Sequence, residues 1–203
     1  VSTRRNMARA QRLREVCRDY ILPYLAQGIR PVVVVSAFDW ATDKLEQFAA
    51  DLDDDPEPHE YARLLMSGEL RANSGLAIAL NAVGCPASSC TGREAGIITT
   101  PQPVGALIER VEDENLRELL ERDLVPVVAG FQGYYWDKDT GRYEVAILGR
   151  GGSNLTAVAL ADALGQEDCI MFTNVDGLYN CDPNVNCDAC KIDRITAKAL
   201  LTW

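Results

Sequence analysis

The sequence predicts an α/β domain built around a mostly parallel β-sheet. Two observations lead to this fold class. Helical and strand-like stretches alternate along the chain, and two of the strand-like stretches, residues 32–35 and 124–130, are nearly continuous apolar runs. Such runs are typical of strands that are covered on both faces, as in parallel sheets. The length of 203 residues suits a single α/β domain better than two domains with separate cores.

The first half of the chain contains three predicted helices and two predicted strands. Apolar residues lie on one face of a helix over residues 3–26, which ends at Gly28. The valine run 32–35 is the first strand, and Thr42 is placed to cap a short helix over 42–50. The acidic, proline-containing stretch 51–60 is predicted as a surface loop that precedes a long helix over 60–83. The stretch "GCPASSCTG" is predicted as a strand that ends in a turn.

The second half continues the alternation. "NLRELLERD" is predicted as a helix, and "LVPVVAGFQG" as a buried strand that runs into a glycine-flanked turn. "YYWDKDTGRYEVAIL" has the form of a hairpin with its turn at residues 139–141 and with Tyr143, Val145 and Ile147 alternating along one face. A helix follows "GRGGS", a strand is expected within residues 167–172, and a last helix begins near residue 192.

Four loops with glycine or polar residues follow the predicted strands, at residues 36–39, 91–92, 130–133 and 173–177. Open α/β sheets bind ligands in the crevice beyond the carboxyl ends of their strands. The sequence therefore predicts a small-molecule site at this edge of the sheet.

Composition restricts the class of partner. The chain carries 20 Lys and Arg against 30 Asp and Glu, a formal net charge of -10, which argues against nucleic acid or an anionic membrane as the main partner. No apolar run reaches the roughly 20 residues that a membrane-spanning helix needs. The seven cysteines in a long, core-rich chain are interpreted as mostly reduced thiols, which predicts a cytoplasmic protein.

The stretch "LGRGGSNLTAVALADAL" suggests an anion site. Glycines allow several backbone N–H groups to face one anion, the following helix adds a partial positive charge at its N-terminus, and Arg150 offers a planar fork for a carboxylate or phosphate. Taken alone, the same residues also fit a tight turn with Arg150 in solvent. No Gly-Lys-Ser/Thr follows, so the stretch is not a Walker loop.

Five stretches, taken together and in order, are similar to the catalytic domain of aspartate kinases in the amino acid kinase superfamily: "VVVVSAFDWATDKL", "LLMSGELRANSGLAIALNAVGCPASSCTGREAGIIT", "VPVVAGFQG", "LGRGGSNLTAVALADAL" and "TNVDGLYNCDP". The resemblance runs over residues 1–203 and implies a three-layer αβα sandwich with a mostly parallel central sheet. It also implies one catalytic domain over 1–203 that is truncated at both ends.

The resemblance implies phosphorylation of the β-carboxylate of L-aspartate by MgATP, the first step of lysine, threonine and methionine biosynthesis. It implies ATP and Mg²⁺ as the cofactors, with Mg²⁺ arriving on the nucleotide phosphates rather than in a dedicated protein cage. A homodimer is the usual form of the family.

Site residues follow from the same resemblance. Arg150 is expected to bind the substrate α-carboxylate and Glu69 its ammonium, although an exposed helical glutamate is the ordinary interpretation of Glu69 by itself. Three groups of residues complete the expected site: a catalytic group of Arg150, Gly151, Gly152 and Asn154; a substrate pocket of Thr42, Glu69, Phe131, Arg150 and Ser153; and a nucleotide side of Ser36, Ala37, Thr173, Asn174, Tyr179, Asp182 and Pro183.

Some positions depart from the family pattern. Asn154 and Asn174 replace aspartates, Asn184 replaces an arginine and Leu70 replaces a glutamine. The usual Lys-Phe-Gly-Gly-Thr-Ser segment would precede Val1. A fragment of a longer kinase explains that difference, and a degenerate, inactive homologue is the other explanation. Two alternatives stay open for function: a homologue that acts on a different carboxylate or on a carbamate, and a non-catalytic nucleotide- or amino-acid-binding homologue.

The remaining polar residues have ordinary interpretations. Cys181, Cys187 and Cys190 could supply three zinc ligands, but one C-x-x-C without a second pair favours a loop with free thiols. His59 lies in the acidic loop and is expected to be solvated. Core positions are expected for three other cysteines, Cys17, Cys85 and Cys169.

Overall fold

The computed structural model describes residues 2–38, 41–149, 151–172, 177–181 and 188–192. The chain divides into two compact units, Val1–Cys169 and Ile170–Trp203, and each is described by itself. The helices of the first unit are α1 Ser2–Val16, which continues through a π-helical turn at Cys17–Ile21 into α2 Leu22–Ala26, then α3 Ala41–Leu52, α4 Pro58–Ala82, α5 Glu114–Glu121 and α6 Gly152–Ala163. Its strands are β1 Val33–Val35, β2 Ala87–Cys90, β3 Ile97–Thr99, β4 Val104–Ala106, β5 Ile108–Val111, β6 Val125–Ala129, β7 Gln132–Asp137 and β8 Arg142–Leu148.

A three-stranded parallel sheet in the order β1-β6-β2 forms the centre of the first unit. One face of this sheet, with Val33, Val35 and Val127, packs in a cluster with Leu76 and Leu80 of α4 and with the residues of the π-helical turn. On the opposite face, Val32, Val34 and Val128, which alternate with the first set, pack in a cluster with Leu116 of α5 and Leu160 of α6. Helices therefore cover both faces, which confirms the α/β fold with a parallel central sheet.

A second sheet of five strands, in the order β4-β8-β7-β3-β5, has mixed directions. The predicted hairpin is present, since β7 and β8 pair antiparallel and Gly141 closes the turn with a φ of 67°. Along β8 the burial differs from the prediction, because Tyr143 is 48% exposed whereas its neighbour Glu144 is 2% exposed. The buried carboxylate is paired with Arg63 of α4 and with Arg142, at 2.7 and 2.5 Å, which explains how it is tolerated.

Most of the predicted helices are confirmed. The N-terminal helical stretch ends before Gly28, whose φ is 77°. The prediction that Thr42 caps a helix is wrong, because α3 already begins at Ala41. The predicted acidic loop is shorter than 51–60, because α3 extends to Leu52 and α4 begins at Pro58. Strands β3, β4 and β5, between residues 97 and 111, were not predicted from the sequence.

The last part of the chain departs further from the predictions. Residues 168–172 do not form a strand, and Cys169 is exposed rather than part of the core. Cys17 and Cys85 are buried as predicted. In the second unit, β9 Leu178–Tyr179 pairs antiparallel with β10 Lys191–Ile192. The predicted last helix beyond residue 192 and the central residue of the cysteine cluster, Cys187, lie outside the described residues.

His59 is held in place rather than solvated. Its ring nitrogens lie 2.7 Å from a carboxylate oxygen of Glu57 and 3.1 Å from the hydroxyl of Tyr135, and 31% of its side chain is exposed. Over the described stretches, no helix is both long enough and apolar enough to cross a membrane.

Candidate functional site

Three loops that follow the parallel strands are joined by hydrogen bonds. The N–H of Gly130, directly after β6, donates to the carbonyl of Val35 at the end of β1 over 2.9 Å. The N–H of Gly92, after β2, donates to the side chain of Gln132 over 3.4 Å. The predicted convergence of loops at the carboxyl edge of the sheet is therefore present for residues 36–38, 91–92 and 130–133. The fourth predicted loop, residues 173–177, lies outside the described residues except for Gly177.

Helix α4 approaches this edge closely at Gly68. A side chain at this position would place its Cβ 3.0 Å from the Cβ of Ala37. The next residue, Glu69, accepts a hydrogen bond from the Ala37 N–H at 3.2 Å. Gly68 was missed as a site residue, although a glycine inside a helical pattern is a known signal of close packing.

Glu69 is the least ordinary residue of this edge. It is only 2% exposed, and its second carboxylate oxygen, Oε2, is buried without a hydrogen-bond partner among the described residues. Burial in this environment raises the pKa of its carboxyl group, an effect that the hydrogen bond from Ala37 only partly opposes. Buried carboxylates are normally paired, so the geometry calls for a cationic or proton-donating group at Oε2.

Phe131 turns the chain from β6 into β7 in a left-handed conformation, with a φ of 67°. This conformation is uncommon for a bulky residue and costs on the order of 1–3 kcal/mol. Two hydrogen bonds hold it: the Phe131 carbonyl accepts from the N–H of Leu148 at 2.8 Å, and its N–H donates to the hydroxyl of Thr156 at 3.2 Å. Such strained residues cluster at ligand sites, which is consistent with a site at this turn.

The first turn of α6 is packed against the turn at residues 130–131. A Cβ on Gly130 would lie 2.7 Å from both Cβ and Oγ of Ser153, and a Cβ on Gly152 would lie 2.7 Å from the Cβ of Leu148. Neither position has room for a side chain. The residue before α6, Gly151, has a φ of 78° and carries no side-chain cap, so the helix begins in a conformation that favours glycine.

The backbone donors at the start of α6 are partly used within the turn itself. The Gly152 N–H donates to the carbonyl of Gly149 at 2.9 Å, and the Asn154 N–H donates to the carbonyl of Gly151 at 3.0 Å. Within the described residues, the N–H groups of Gly151 and Ser153 have no acceptor, and the side chain of Asn154 is exposed. The N-terminus of a helix of this length favours an anion.

The other expected residues are only partly placed. Ser36 is exposed and Ala37 half-buried at the end of β1, and Thr42 is half-buried in the first turn of α3. The hydrogen bonds of the described residues do not join Thr42 to Glu69 or to Phe131. Tyr179 lies in the second unit and is half-buried. Five expected site residues lie outside the described residues: Arg150, Thr173, Asn174, Asp182 and Pro183.

Two cavities of the first unit lie away from this edge. A cavity of about 580 Å³ is lined by residues of α3 and α4, including Glu46 and Tyr61, and one of about 360 Å³ is lined by Tyr134, Trp136 and Tyr143. Neither is lined by Glu69 or Phe131. The unpaired buried carboxylate and the strained turn therefore mark the carboxyl edge as the candidate site.

Comparison with known proteins places these features in a family context. The sequence profile of the amino acid kinase family matches residues 6–203. The chain is 40% identical to the aspartokinase of Mycobacterium tuberculosis (strain ATCC 25618 / H37Rv) over 196 residues, 97% of this chain and 45% of that protein. It is 37% identical to the aspartokinase of Helicobacter pylori (strain ATCC 700392 / 26695) over 97% of this chain and 47% of that protein. The chain thus spans about half the length of these relatives.

Solved structures of aspartate kinases are also similar to this chain. Aspartate kinase from Synechocystis superposes with a TM-score of 0.69 at 34% identity, covering 89% of this chain and 29% of that chain. E. coli aspartokinase III, in complex with aspartate and ADP, superposes with a TM-score of 0.58 at 26% identity, covering 74% of this chain and 34% of that chain. An isopentenyl phosphate kinase, at 22% identity and a TM-score of 0.60 over 85% of this chain and 67% of that chain, shares the fold.

Proposed function

This chain belongs to the amino acid kinase family, and we propose from that premise that it forms the catalytic part of an aspartate kinase. The proposed reaction transfers the γ-phosphoryl group of MgATP to the β-carboxylate of L-aspartate. An oxygen of the carboxylate forms the new P–O bond, the bond between the β,γ-bridging oxygen and the γ-phosphorus breaks, and ADP leaves. The aspartokinase relatives, and the E. coli enzyme in complex with aspartate and ADP, support this choice of substrates.

The observation that carries the proposal is the carboxylate of Glu69. It is buried, one of its oxygens lacks a partner among the described residues, and the neighbouring Ala37 N–H fixes the other oxygen. The ammonium group of an amino acid supplies both the positive charge and the hydrogen-bond donors that this oxygen lacks. Glu69 therefore accounts for selection of an amino acid over a simple dicarboxylic acid.

The start of α6 is proposed to face the anionic groups. Reaction between a carboxylate and a polyphosphate brings two anions together, so positioning and charge neutralisation dominate such catalysis. We infer that the N–H groups of Gly151 and Ser153 donate to the transferred phosphoryl and that Arg150 holds the α-carboxylate in a bidentate pair. Phe131 and Thr42 are proposed to shape the pocket for the acid.

The nucleotide side is proposed from the sequence motifs. Ser36 and Ala37 follow β1 at the same edge as Glu69. The other nucleotide contacts are proposed to come from Thr173, Asn174, Tyr179, Asp182 and Pro183. Within the described residues, no group of three or more His, Cys, Asp or Glu side chains is arranged to hold a metal ion. We propose that Mg²⁺ enters as MgATP, on the nucleotide phosphates. A cytoplasmic homodimer acting at the start of lysine, threonine and methionine biosynthesis completes the proposal.

A second candidate substrate is favoured by one observation. Asn154 is exposed at the start of α6, where an amide supplies shape and an acceptor but no charge. A kinase of this family that acts on another carboxylate or on a carbamate fits this difference.

The test measures acyl phosphate directly. The natural protein that carries this sequence is incubated with MgATP and hydroxylamine, and the hydroxamate is quantified with L-aspartate, L-glutamate, N-acetylglutamate and succinate in parallel. We expect L-aspartate to give the highest kcat/KM and succinate, which lacks the ammonium, to give almost none. Turnover of another acid without turnover of aspartate would establish the second candidate instead.

A further inference from the structure

The hydroxyl of Thr156 forms hydrogen bonds to two segments of the candidate site. Thr156 lies on α6, it is 0% exposed, and its hydroxyl donates to the carbonyl of Gly152 at 3.0 Å while accepting from the N–H of Phe131 at 3.2 Å. A hydroxyl group has one proton to donate and lone pairs to accept with, so it satisfies both bonds at once. The two residues to which it is bonded are Phe131, in the strained turn after β6, and Gly152, the first residue of α6.

Each of these segments leaves the other little freedom. The Phe131 turn has a φ of 67° and depends on its hydrogen bonds to keep that conformation. A side chain on Gly130 would overlap with Ser153 at the start of α6, and a side chain on Gly152 would overlap with Leu148 of β8. The hydroxyl of Thr156 is the polar link that sets the orientation of the turn relative to the helix start.

We propose that Thr156 is a positioning residue for phosphoryl transfer. Its hydroxyl sets the orientation of the first turn of α6 against the Phe131 turn, and thereby the direction of the N–H groups of Gly151 and Ser153. This inference rests on the proposed function of the same edge. Thr156 does not touch the substrate in this role, because it is fully buried beneath the turn.

The consequence for kinetics is specific. Glu69 belongs to α4 and is fixed by Ala37, so the ammonium contact does not depend on Thr156. Donors that act mainly on the charge developing in the transition state affect kcat more than KM. A displacement of about 1 Å in such groups reduces the rate by up to about 100-fold.

The experiment compares four variants with the wild-type protein: Thr156→Val, Thr156→Ala, Thr156→Ser and Thr99→Val. Thr99 is the matched control, because it is 2% exposed and its hydroxyl donates to a backbone carbonyl, that of Tyr134, at 3.3 Å within the second sheet. Rates are normalised to folded protein by circular dichroism at a temperature at which every variant is folded. The alanine variant adds no bulk and replaces the valine variant if that one fails to fold.

We expect Thr156→Val and Thr156→Ala to lower kcat by about 10- to 100-fold. KM for the acid should rise by a smaller factor, because Phe131, which is proposed to shape the acid pocket, is bonded to Thr156. Thr156→Ser restores kcat to within about three-fold, and Thr99→Val leaves kcat unchanged. Equal kcat in the Thr156 and Thr99 valine variants, or no restoration by serine, overturns the inference.

The wild-type protein separates this inference from the proposed function. If it phosphorylates a different acid, the aspartate assignment fails while the variant ratios, measured with that acid, still decide the role of Thr156. If it phosphorylates none of the acids, both proposals are overturned.

Discussion

Replacing Glu69 with glutamine removes a negative charge while keeping the size of the side chain and an acceptor for the Ala37 N–H. This carboxylate is buried, one of its oxygens has no hydrogen-bond partner among the described residues, and the proposed partner is the ammonium of the substrate. Truncating one partner of a buried, hydrogen-bonded charge pair costs about 2–5 kcal/mol. Because the amide oxygen of glutamine still accepts a hydrogen bond, we expect a cost in the lower half of this range, about 2–3 kcal/mol. This cost corresponds to about a 30- to 150-fold loss of kcat/KM for aspartate.

The same substitution is expected to affect stability in the opposite direction. Burial raises the pKa of Glu69 above its usual value of 4.5. A group with a raised folded-state pKa contributes its stability fully below the unfolded pKa and loses it as the pH rises through the folded pKa. At neutral pH the free protein has therefore lost stability that this carboxyl group contributes at low pH. Glu69→Gln should leave the free energy of unfolding unchanged or raise it by about 1–2 kcal/mol at pH 7.5, and this gain should vanish below about pH 4.5.

Glu144 supplies a matched control. It is also 2% exposed, but its carboxylate is paired with Arg63 and Arg142. Burial alone would raise the pKa of Glu144, but the two arginines outweigh it and lower the pKa. The stability that comes from pairing Glu144 with the two arginines is present above the unfolded-state pKa of Glu144 and is lost as the pH falls through its folded-state pKa. Because the side chains of Arg63 and Arg142 are 40% and 65% exposed, solvent weakens the pairing, and Glu144→Gln should cost about 1–2 kcal/mol at pH 7.5.

The assay pairs initial rates of ADP release, over a range of aspartate concentrations, with urea unfolding of the free protein between pH 4 and 8. The expected pattern is a loss of kcat/KM without loss of stability for Glu69→Gln and a loss of stability for Glu144→Gln. A Glu69→Gln protein that is destabilised at pH 7.5 and binds aspartate normally would show that the carboxylate is structural, and the ammonium site would have to lie elsewhere.

Three further substitutions test the start of α6. Gly130→Ala places a Cβ 2.7 Å from Ser153, so α6 must move by about 1 Å and kcat should fall about 10- to 100-fold. In the control Gly75→Ala, the nearest atom to the new Cβ is the flexible end of Leu13, at 3.0 Å, so kcat should change less than about three-fold. Arg150→Ala should raise KM for the acid at least about ten-fold more than KM for ATP, and an equal rise in both would place Arg150 in another subsite. Asn154→Asp should keep or increase aspartate turnover in the hydroxamate assay, and a large loss would mean that the amide has a role of its own.

The central sheet could be predicted because its signal is local. The valine run of β1 and the apolar run of β6 are buried on both faces, so composition alone indicates parallel strands. Strands β3 and β5 have no such signal. β3 takes its place from long-range pairing with β7 and β5, in which Ile98 pairs with Tyr134 and Ile97 with Val111. Strand formation of this kind depends on neighbours that are distant in the sequence, and propensity does not reveal it.

The sequence names candidate residues for the site, but it does not predict their physical state. A glutamate in a helix is ordinarily exposed, and only the fold shows that Glu69 is buried beside Ala37. Phe131 carries no local signal for a left-handed turn, because that conformation is unfavourable for phenylalanine and is imposed by contacts with β8 and α6. Thr156 was overlooked for the same reason, since its role depends on a partner 25 residues away.

Three unusual features occur at one edge of this sheet: among the described residues, one oxygen of a buried carboxylate has no hydrogen-bond partner, a phenylalanine adopts a left-handed turn, and two glycines lie where a side chain would clash. A folded chain tolerates such features only where the surrounding core over-determines them, and here apolar clusters on both faces of β6 hold the edge in place. Elsewhere in the first unit, as at Glu144, the buried charge is neutralised by the protein itself. The contrast between the two carboxylates supports the proposal that Glu69 binds a ligand. Arginines neutralise Glu144, whereas one oxygen of Glu69 has no hydrogen-bond partner among the described residues.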